Sequence, residues 1–125
     1  MLSFSVTFKP GASIYEQIIY AVKKAIVTGQ LKPGEAFPSV RELSRELKVN
    51  PNTALKVINL LVQENILEIH PGIGSVITQL PQANQKQRDQ ILKTEVERLI
   101  IEARRLSIKK KELFDAISEN WQIEP

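Results

Sequence analysis

The chain has 125 residues, no cysteine, and a formal net charge of +3 from 17 Lys and Arg against 14 Asp and Glu. This length allows one ordinary domain, or a small domain with an accessory element. The absence of cysteine excludes disulfides and thiolate metal sites. The surplus of positive charge is too small to indicate nucleic-acid binding by itself. No apolar run reaches membrane-spanning length and the N-terminus lacks a signal-peptide pattern, so we expect a cytoplasmic protein without membrane contact.

The first 28 residues predict an apolar arm followed by a helix. Residues 2–9 alternate apolar and polar side chains, which indicates a short strand or an extended arm whose apolar face needs a partner surface, in the same domain or in a second subunit. Ser13 and Glu16 then have capping-box spacing, and the helix they open runs to about Thr28. Gly29 is placed to close it in a left-handed conformation. The expected buried stripe of this helix is Ile14, Ile18, Val22, Ala25 and Ile26.

Residues 38–63 read as two helices joined by a very short turn, the pattern of a helix-turn-helix. Ser39 and Glu42 again have capping-box spacing and would open the first helix of the pair. The turn is predicted at Lys48 and Val49. The residues expected to be buried before and within this first helix are Leu31, Phe37, Val40, Leu43 and Leu47.

The second helix of the pair is predicted to start at Asn50, because Asn caps free amides and the proline that follows is preset for the first helical position. Its inward residues are Ala54, Ile58 and Leu61, and its outward residues are Asn52, Lys56, Asn59 and Gln63. With the hydroxyl of Thr53, the outward face offers amides and a cation and almost no carboxylate, which suits base edges and phosphates. Residues 50–63 are therefore the predicted recognition helix. Such helix pairs also occur in domains that never touch DNA, where the polar face is simply solvated.

A glycine-rich hairpin is predicted directly after this helix. Asn65 stands where a helix end needs a residue that tolerates positive φ. Residues 66–70 and 75–78 then indicate two strands around residues 71–74. The hairpin is either the wing of a winged helix, whose glycines let backbone amides approach phosphate, or a plain β-turn. His70 would be a strand residue or a phosphate contact.

Several short motifs occur together in residues 12–78: Tyr15-Glu16-Gln17-Ile18, Leu31-Lys32-Pro33-Gly34, Pro38-Ser39-Val40-Arg41-Glu42-Leu43, Val49-Asn50-Pro51-Asn52-Thr53-Ala54, Asn65-Ile66-Leu67 and Gly72-Ile73-Gly74-Ser75. In this combination the chain resembles the DNA-binding domain of GntR-type bacterial transcriptional regulators. The Asn-Pro-Asn-Thr variant and the short tail resemble the YtrA-like subgroup in particular. The resemblance implies a mainly α fold with a small β wing, a winged helix-turn-helix over residues 1–80.

The resemblance also implies roles for individual residues. Arg41 would contact DNA from the first helix of the pair; otherwise it forms a surface ion pair. Thr53 would donate to a phosphate, helped by the free amides of the first turn of its helix. Gly72 and Gly74 would place the wing tip against the minor groove or the backbone. The full set of predicted DNA contacts is Ser39, Arg41, Asn50, Asn52, Thr53, Lys56, Asn59, His70, Gly72 and Gly74.

The chain departs from the family pattern in the recognition helix. Many members have an arginine where this chain has Pro51, and another near Leu55. Lys56 supplies a neighbouring charge, but a lysine does not give the bidentate guanine contact of an arginine. Leu55 either touches a thymine methyl or packs partly buried. The base-reading residues are therefore less defined by the resemblance than the fold is.

Residues 81–125 form the predicted tail, which begins with a polar linker at 81–87. A heptad seam follows at Leu92, Val96, Leu99, Ala103 and Leu106, flanked by the charges of Glu95, Arg98, Glu102 and Arg105. Ser107 interrupts it, and a second helix is predicted from about 109 to 120, with one side formed by Leu113, Phe114, Ile117 and Trp121. Two such helices cannot enclose their own apolar stripes. Phe114, Ile117 and the seam therefore predict dimerisation, with an intramolecular cap as the alternative.

The residue types argue against an enzyme. There is one histidine, His70, and no pair of groups stands out as acid and base. We expect no cofactor and no metal site, and the tail is too short for a separate effector domain, so an effector is left open.

Two hypotheses remain: a dimeric repressor that binds an inverted-repeat operator in double-stranded DNA, and a winged-helix module for protein–protein contact. A polar outward face of residues 51–63 with few acids favours DNA.

Overall fold

The computed structural model describes residues 2–79 and 83–125, which divide into two compact units on either side of that gap. The first unit contains three helices and a two-stranded antiparallel sheet, and the second unit is helical. The predicted fold class, mainly α with a small β wing, is confirmed. Among the residues described, no helix has both the length and the apolar character needed to cross a membrane.

The first helix, α1, spans Ile14–Val27. The side chain of Ser13 accepts a hydrogen bond from the amide of Glu16, and Gly29 beyond the helix has a φ of 82°, as predicted. Its buried residues are Ile18, Ile19, Val22 and Ala25. The prediction for Ile14 is wrong: this side chain is 45% exposed, because it stands at the first position of the helix, at the edge of the core.

The N-terminal segment is an arm and not a strand. Phe4 is buried and its ring stacks on that of Phe37 at a centroid distance of 5.9 Å, so the apolar face is covered within the same unit. Phe8 departs from the predicted alternation because its side chain is 36% exposed. The side chain of Gln17 fixes the end of the arm, since it accepts from the amide of Lys9 at 2.8 Å and donates to the Lys9 carbonyl at 2.9 Å.

The helix-turn-helix consists of α2, Val40–Leu47, and α3, Pro51–Gln63. Ser39 and Glu42 form the predicted capping box at the start of α2. Lys48 makes the turn in the left-handed conformation, with φ 56° and ψ 48°. The α3 helix then starts as the Asn-Pro sequence predicts, with Asn50 as its cap.

The wing consists of β1, Leu67–His70, and β2, Gly74–Ile77, paired so that Leu67 faces Ile77 and His70 faces Gly74. Asn65 precedes it with a φ of 61°, which confirms the prediction of a positive φ there. Residues 34–37 add a third extended segment on the free side of β2. The amide of Phe37 donates to the carbonyl of Ser75 at 2.8 Å, and the amide of Ile77 donates to the carbonyl of Glu35 at 2.9 Å.

One apolar core holds the first unit together. It joins the arm, all three helices and the sheet, and its buried residues are Phe4, Ile18, Ile19, Val22, Ala25, Leu31, Phe37, Leu43, Ala54, Val57, Ile58, Leu61, Leu67 and Ile77. The predicted anchors Leu31 and Phe37 are 2% and 5% exposed. Val40 and Leu47 are partly buried against this core. Burial of one such side chain contributes about 1.5–3 kcal/mol, so this cluster fixes the orientation of α3.

The second unit contains α4, Gln85–Asp89, a π-helical segment, Gln90–Glu95, then α5, Val96–Arg105, and α6, Lys110–Asn120. The linker predicted at 81–87 is corrected at its C-terminal end. Its first two residues lie outside the described residues, and its last three are helical because Asn84 accepts from the amide of Gln87 in a capping box. Ser107 separates α5 from α6, because its φ of 61° is incompatible with a continuous α-helix.

The predicted heptad seam is corrected at Leu92, and all of its side chains except that of Ala103 are exposed. Leu92 lies in the π-helical segment, where hydrogen bonds span five residues, so it does not continue the α-helical spacing of the seam. Ala103 is buried, while the other predicted dimer residues are 39–58% exposed: Leu92, Val96, Leu99, Leu106, Phe114 and Ile117. The flanking charges pair along the helix, Arg98 with Glu95 and Arg105 with Glu102, and the Arg105 guanidinium lowers the pKa of the Glu102 carboxyl.

Candidate nucleic-acid interface

The outward face of α3 is polar and free of acids. One side of α3 is buried in the core through Ala54, Val57, Ile58 and Leu61. The opposite side of the helix is therefore exposed to solvent. The predicted outward residues Asn52, Lys56, Asn59 and Gln63 are all exposed. No residue of α3 is an Asp or a Glu. This face can donate and accept hydrogen bonds at base edges, and it carries no charge that would repel phosphate.

Two side-chain amides on this face are available to a ligand. Asn52 and Asn59 are seven residues apart, which is two helical turns, so they lie in one row along α3. Within the described ranges neither side-chain amide hydrogen-bonds to another residue. Each amide can therefore offer both a donor and an acceptor, which is the combination that recognises adenine in the major groove.

Lys56 is held at one edge of this face by an aromatic ring from α1. Its ammonium lies 5.0 Å from the centroid of the Tyr15 ring, a cation–π distance. The side chain is therefore directed toward α1 and away from the centre of the row formed by Asn52 and Asn59. Sequence spacing assigns Tyr15 no role beyond its place in a family motif, because spacing along one helix does not reveal a contact between α1 and α3.

Two predicted DNA contacts, Ser39 and Asn50, are helix caps. The hydroxyl of Ser39 accepts from the amide of Glu42 at 3.1 Å and donates to the Glu42 carboxylate at 3.2 Å. The side-chain oxygen of Asn50 accepts from the amide of Asn52 at 2.8 Å. Both side chains thus have a structural function in the start of α2 and α3, and direct contact with DNA stays a prediction for them.

Thr53 is half-buried at the third position of α3, and the expected free amides around it are absent. The amide of Asn52 donates to the Asn50 side chain, and the amides of Thr53 and Ala54 donate to the Asn50 carbonyl at 2.9 and 3.1 Å. Pro51 has no amide hydrogen. The expectation that open amides of this first turn assist Thr53 is therefore wrong, and its hydroxyl would act alone.

Arg41 is exposed at the second position of α2. The alternative of a surface ion pair is not observed, since its guanidinium makes no ion pair with any residue in the part of the chain described. A guanidinium without a carboxylate partner can bind a phosphate with two hydrogen bonds at no cost in a broken ion pair.

The wing tip is a tight turn in which the amide of Ile73 donates to the carbonyl of His70 at 3.0 Å. Gly72 and Gly74 have φ values of 80° and 107°, which favour glycine, and a Cβ at either position would meet nothing within 4 Å. The side chain of His70 is 3.6 Å from the carboxylate of Glu68, so an acid lies beside this predicted phosphate contact. The tip exposes backbone and the side chain of Ile73, which is 69% exposed.

The side chain of Leu55 is exposed at the surface of α3. Its side chain is 45% exposed, and it is neither part of the core nor packed against it. The interpretation as a packing residue is therefore wrong. In the described residues no group of three or more His, Asp and Glu side chains could hold a metal ion.

Comparisons with known proteins place this geometry in a family. The family described as "Bacterial regulatory proteins, gntR family" matches residues 14–77. The chain is 35% identical over 107 residues to the HTH-type transcriptional repressor YtrA of Bacillus subtilis, which covers 85% of this chain and 82% of YtrA.

Two solved structures extend the comparison. A structure described as a transcriptional antiterminator from Listeria monocytogenes EGD-e has a TM-score of 0.83 and 28% identity, and covers 95% of this chain and 90% of that one. The DNA-binding domain of AraR in complex with operator ORX1 has a TM-score of 0.50 and 25% identity, and covers 59% of this chain and 95% of that one.

Proposed function

Because the chain belongs to the gntR family of bacterial regulatory proteins, we propose that it is a dimeric transcriptional repressor that binds an inverted-repeat operator in double-stranded DNA. DNA binding and transcription regulation follow from the family and from the likeness to YtrA. Repression, the inverted repeat and the dimer are the proposed part. The observation that carries the proposal is the outward face of α3, which is exposed, polar and without acids.

The proposed contacts divide by chemistry. Arg41 and Lys56 bind phosphates, because the guanidinium of Arg41 makes no ion pair within the described residues and Lys56 is held at the edge of the face by Tyr15. Asn52 and Asn59 lie at the centre of the face and read base edges. The wing tip at 72–74 brings exposed backbone to the DNA. A recognition helix that enters the major groove beside a wing needs all of these groups on one unit. The DNA-binding domain of AraR has this fold, and its structure was determined in complex with operator DNA.

The second unit supports the dimer. An apolar groove of about 560 Å³ lies between α5 and α6 and is lined by residues that include Leu99, Ala103, Phe114 and Ile117. Exposure of apolar side chains of this size to water is unfavourable in free energy. In a two-fold dimer the same apolar surface of each subunit packs against its copy in the other subunit, so one surface covers both. Pairing also holds two recognition helices at a fixed spacing, which matches two half-sites.

The alternative, a winged-helix module for protein–protein contact, would need an apolar or acidic face on α3. Instead that face carries a cation and two side-chain amides that have no hydrogen-bond partner in the described part of the chain. We further propose that the protein has no enzymatic activity and acts in the cytoplasm, where bacterial operators are. No effector is assigned.

Selection from a random pool of duplex DNA tests the proposal. The wild type is expected to enrich one sequence, and this sequence is expected to be an inverted repeat. A variant with Asn59→Asp serves as a matched control, because it places a carboxylate in the centre of the face and should enrich nothing. A wild type that enriches no sequence would contradict DNA recognition, and enrichment of a single half-site would contradict the dimer.

A further inference from the structure

Leu55 is an exposed apolar side chain beside the polar row of α3. It follows Asn52 by three residues and precedes Asn59 by four, so it is the neighbour of both on the surface of α3. Its side chain is 45% exposed, although the core of the first unit is well filled by the residues on the other side of the helix. Folding of the unit therefore does not explain why an apolar residue stands here.

A protein partner does not explain it either. Apolar docking surfaces are contiguous patches, whereas the exposed residues three or four positions from Leu55 along α3 are the two asparagines and Pro51. In the major groove, by contrast, one base pair presents an isolated apolar group to a protein. This is the C5 methyl group of thymine, which stands next to the donor and acceptor edge of adenine.

We propose that Leu55 is a base-reading residue that contacts a thymine methyl group, and that with Asn52 and Asn59 it makes the centre of α3 select A·T pairs. The amide of an asparagine matches the N6 and N7 positions of adenine, and α3 contains no arginine for a bidentate contact with guanine. Leu55 is the fifth residue of α3, in the half of a recognition helix that reaches base edges. This inference rests on the proposed DNA binding and specifies which bases are read.

The test uses the duplex that the wild type selects from a random pool. Each thymine of a half-site is replaced in turn by deoxyuridine, which removes only the methyl group. For the wild type, one replacement in each half-site is expected to weaken binding about fourfold, the loss expected for one buried methyl group. Leu55→Ala is expected to bind the thymine and uracil duplexes equally at that position, while it still binds DNA through its phosphate contacts.

Val27→Ala is the matched control, because Val27 is also an exposed apolar residue but lies at the end of α1. It is expected to keep the full uracil penalty. Leu55→Ala with the same penalties as the wild type at every thymine would overturn the inference, as would a selected half-site whose core is entirely G·C. If the wild type selects a duplex but no penalty depends on Leu55, only this inference fails. If it selects none, the proposed DNA binding fails with it.

Discussion

At the scale of single residues, the two cations of the interface have different surroundings. Arg41 makes no ion pair in the described residues, and Lys56 lies over Tyr15. Arg41→Ala and Lys56→Ala are each expected to weaken DNA binding equally for all sequences, because each removes a charge and no base contact. Each is also expected to lower the slope of log affinity against log salt concentration by about 1, the value for one phosphate contact. Titration of a selected and a shuffled duplex at several salt concentrations measures both effects.

Lys111→Ala provides the control for these two variants. Lys111 is an exposed cation on α6, paired with Asp115 at 3.3 Å. Its replacement is expected to leave DNA affinity unchanged. If Arg41→Ala and Lys56→Ala keep wild-type affinity, the recognition face is assigned to the wrong side of the helix-turn-helix.

At the scale of elements, the start of α2 depends on one hydroxyl. Ser39→Ala removes the acceptor for the Glu42 amide and is expected to lower the free energy of unfolding by about 1 kcal/mol. Ser44→Ala is the matched control, because Ser44 lies within α2 and donates only to the Arg41 carbonyl. Thermal unfolding followed by circular dichroism compares the two. Equal stability of both variants would show that the capping box does not hold the start of α2.

The elements also show what the sequence could and could not predict. Caps and turn residues are local, so the bounds of α1, α2 and α3 and the positive φ of Asn65 followed from residue type and spacing. The pairing of residues 34–37 with β2 is non-local, so no residue type or spacing along the chain indicated it. The π-helical segment at 90–95 was missed because heptad spacing presumes an α-helix throughout.

The candidate site was predictable to a similar extent. The polar row of α3 followed from helical periodicity, and the structure places all its members in solvent. The position of Lys56 over Tyr15 and the exposure of Leu55 depend on packing between and around the helices. Spacing along a single helix does not contain that information.

At the scale of the whole molecule, the second unit is expected to hold two recognition helices together. Leu99→Asp puts an unpaired charge into the apolar seam, where Leu99 is 46% exposed, and is expected to make the protein monomeric and to weaken binding to the full operator. Ile101→Asp is the matched control, because Ile101 is an exposed residue of α5 two positions away, on the opposite side of the helix. It should remain dimeric.

Sedimentation at micromolar concentration reads out the oligomeric state, and circular dichroism checks that both variants remain folded. A wild type that sediments as a monomer would contradict the dimer. So would a Leu99→Asp protein that remains dimeric and binds the full operator with wild-type affinity.

We propose that the outward face of α3 and Arg41 of α2 bind duplex DNA through its phosphates, and that α3 reads its sequence. The affinity of the wild type for its selected duplex, measured between ~50 and ~200 mM salt, tests this most directly, because phosphate contacts release counterions. We expect the affinity to fall at least about tenfold over this range, and to exceed that for a shuffled duplex at every salt concentration. An affinity that does not change with salt, or that is equal for the two duplexes, would contradict the account.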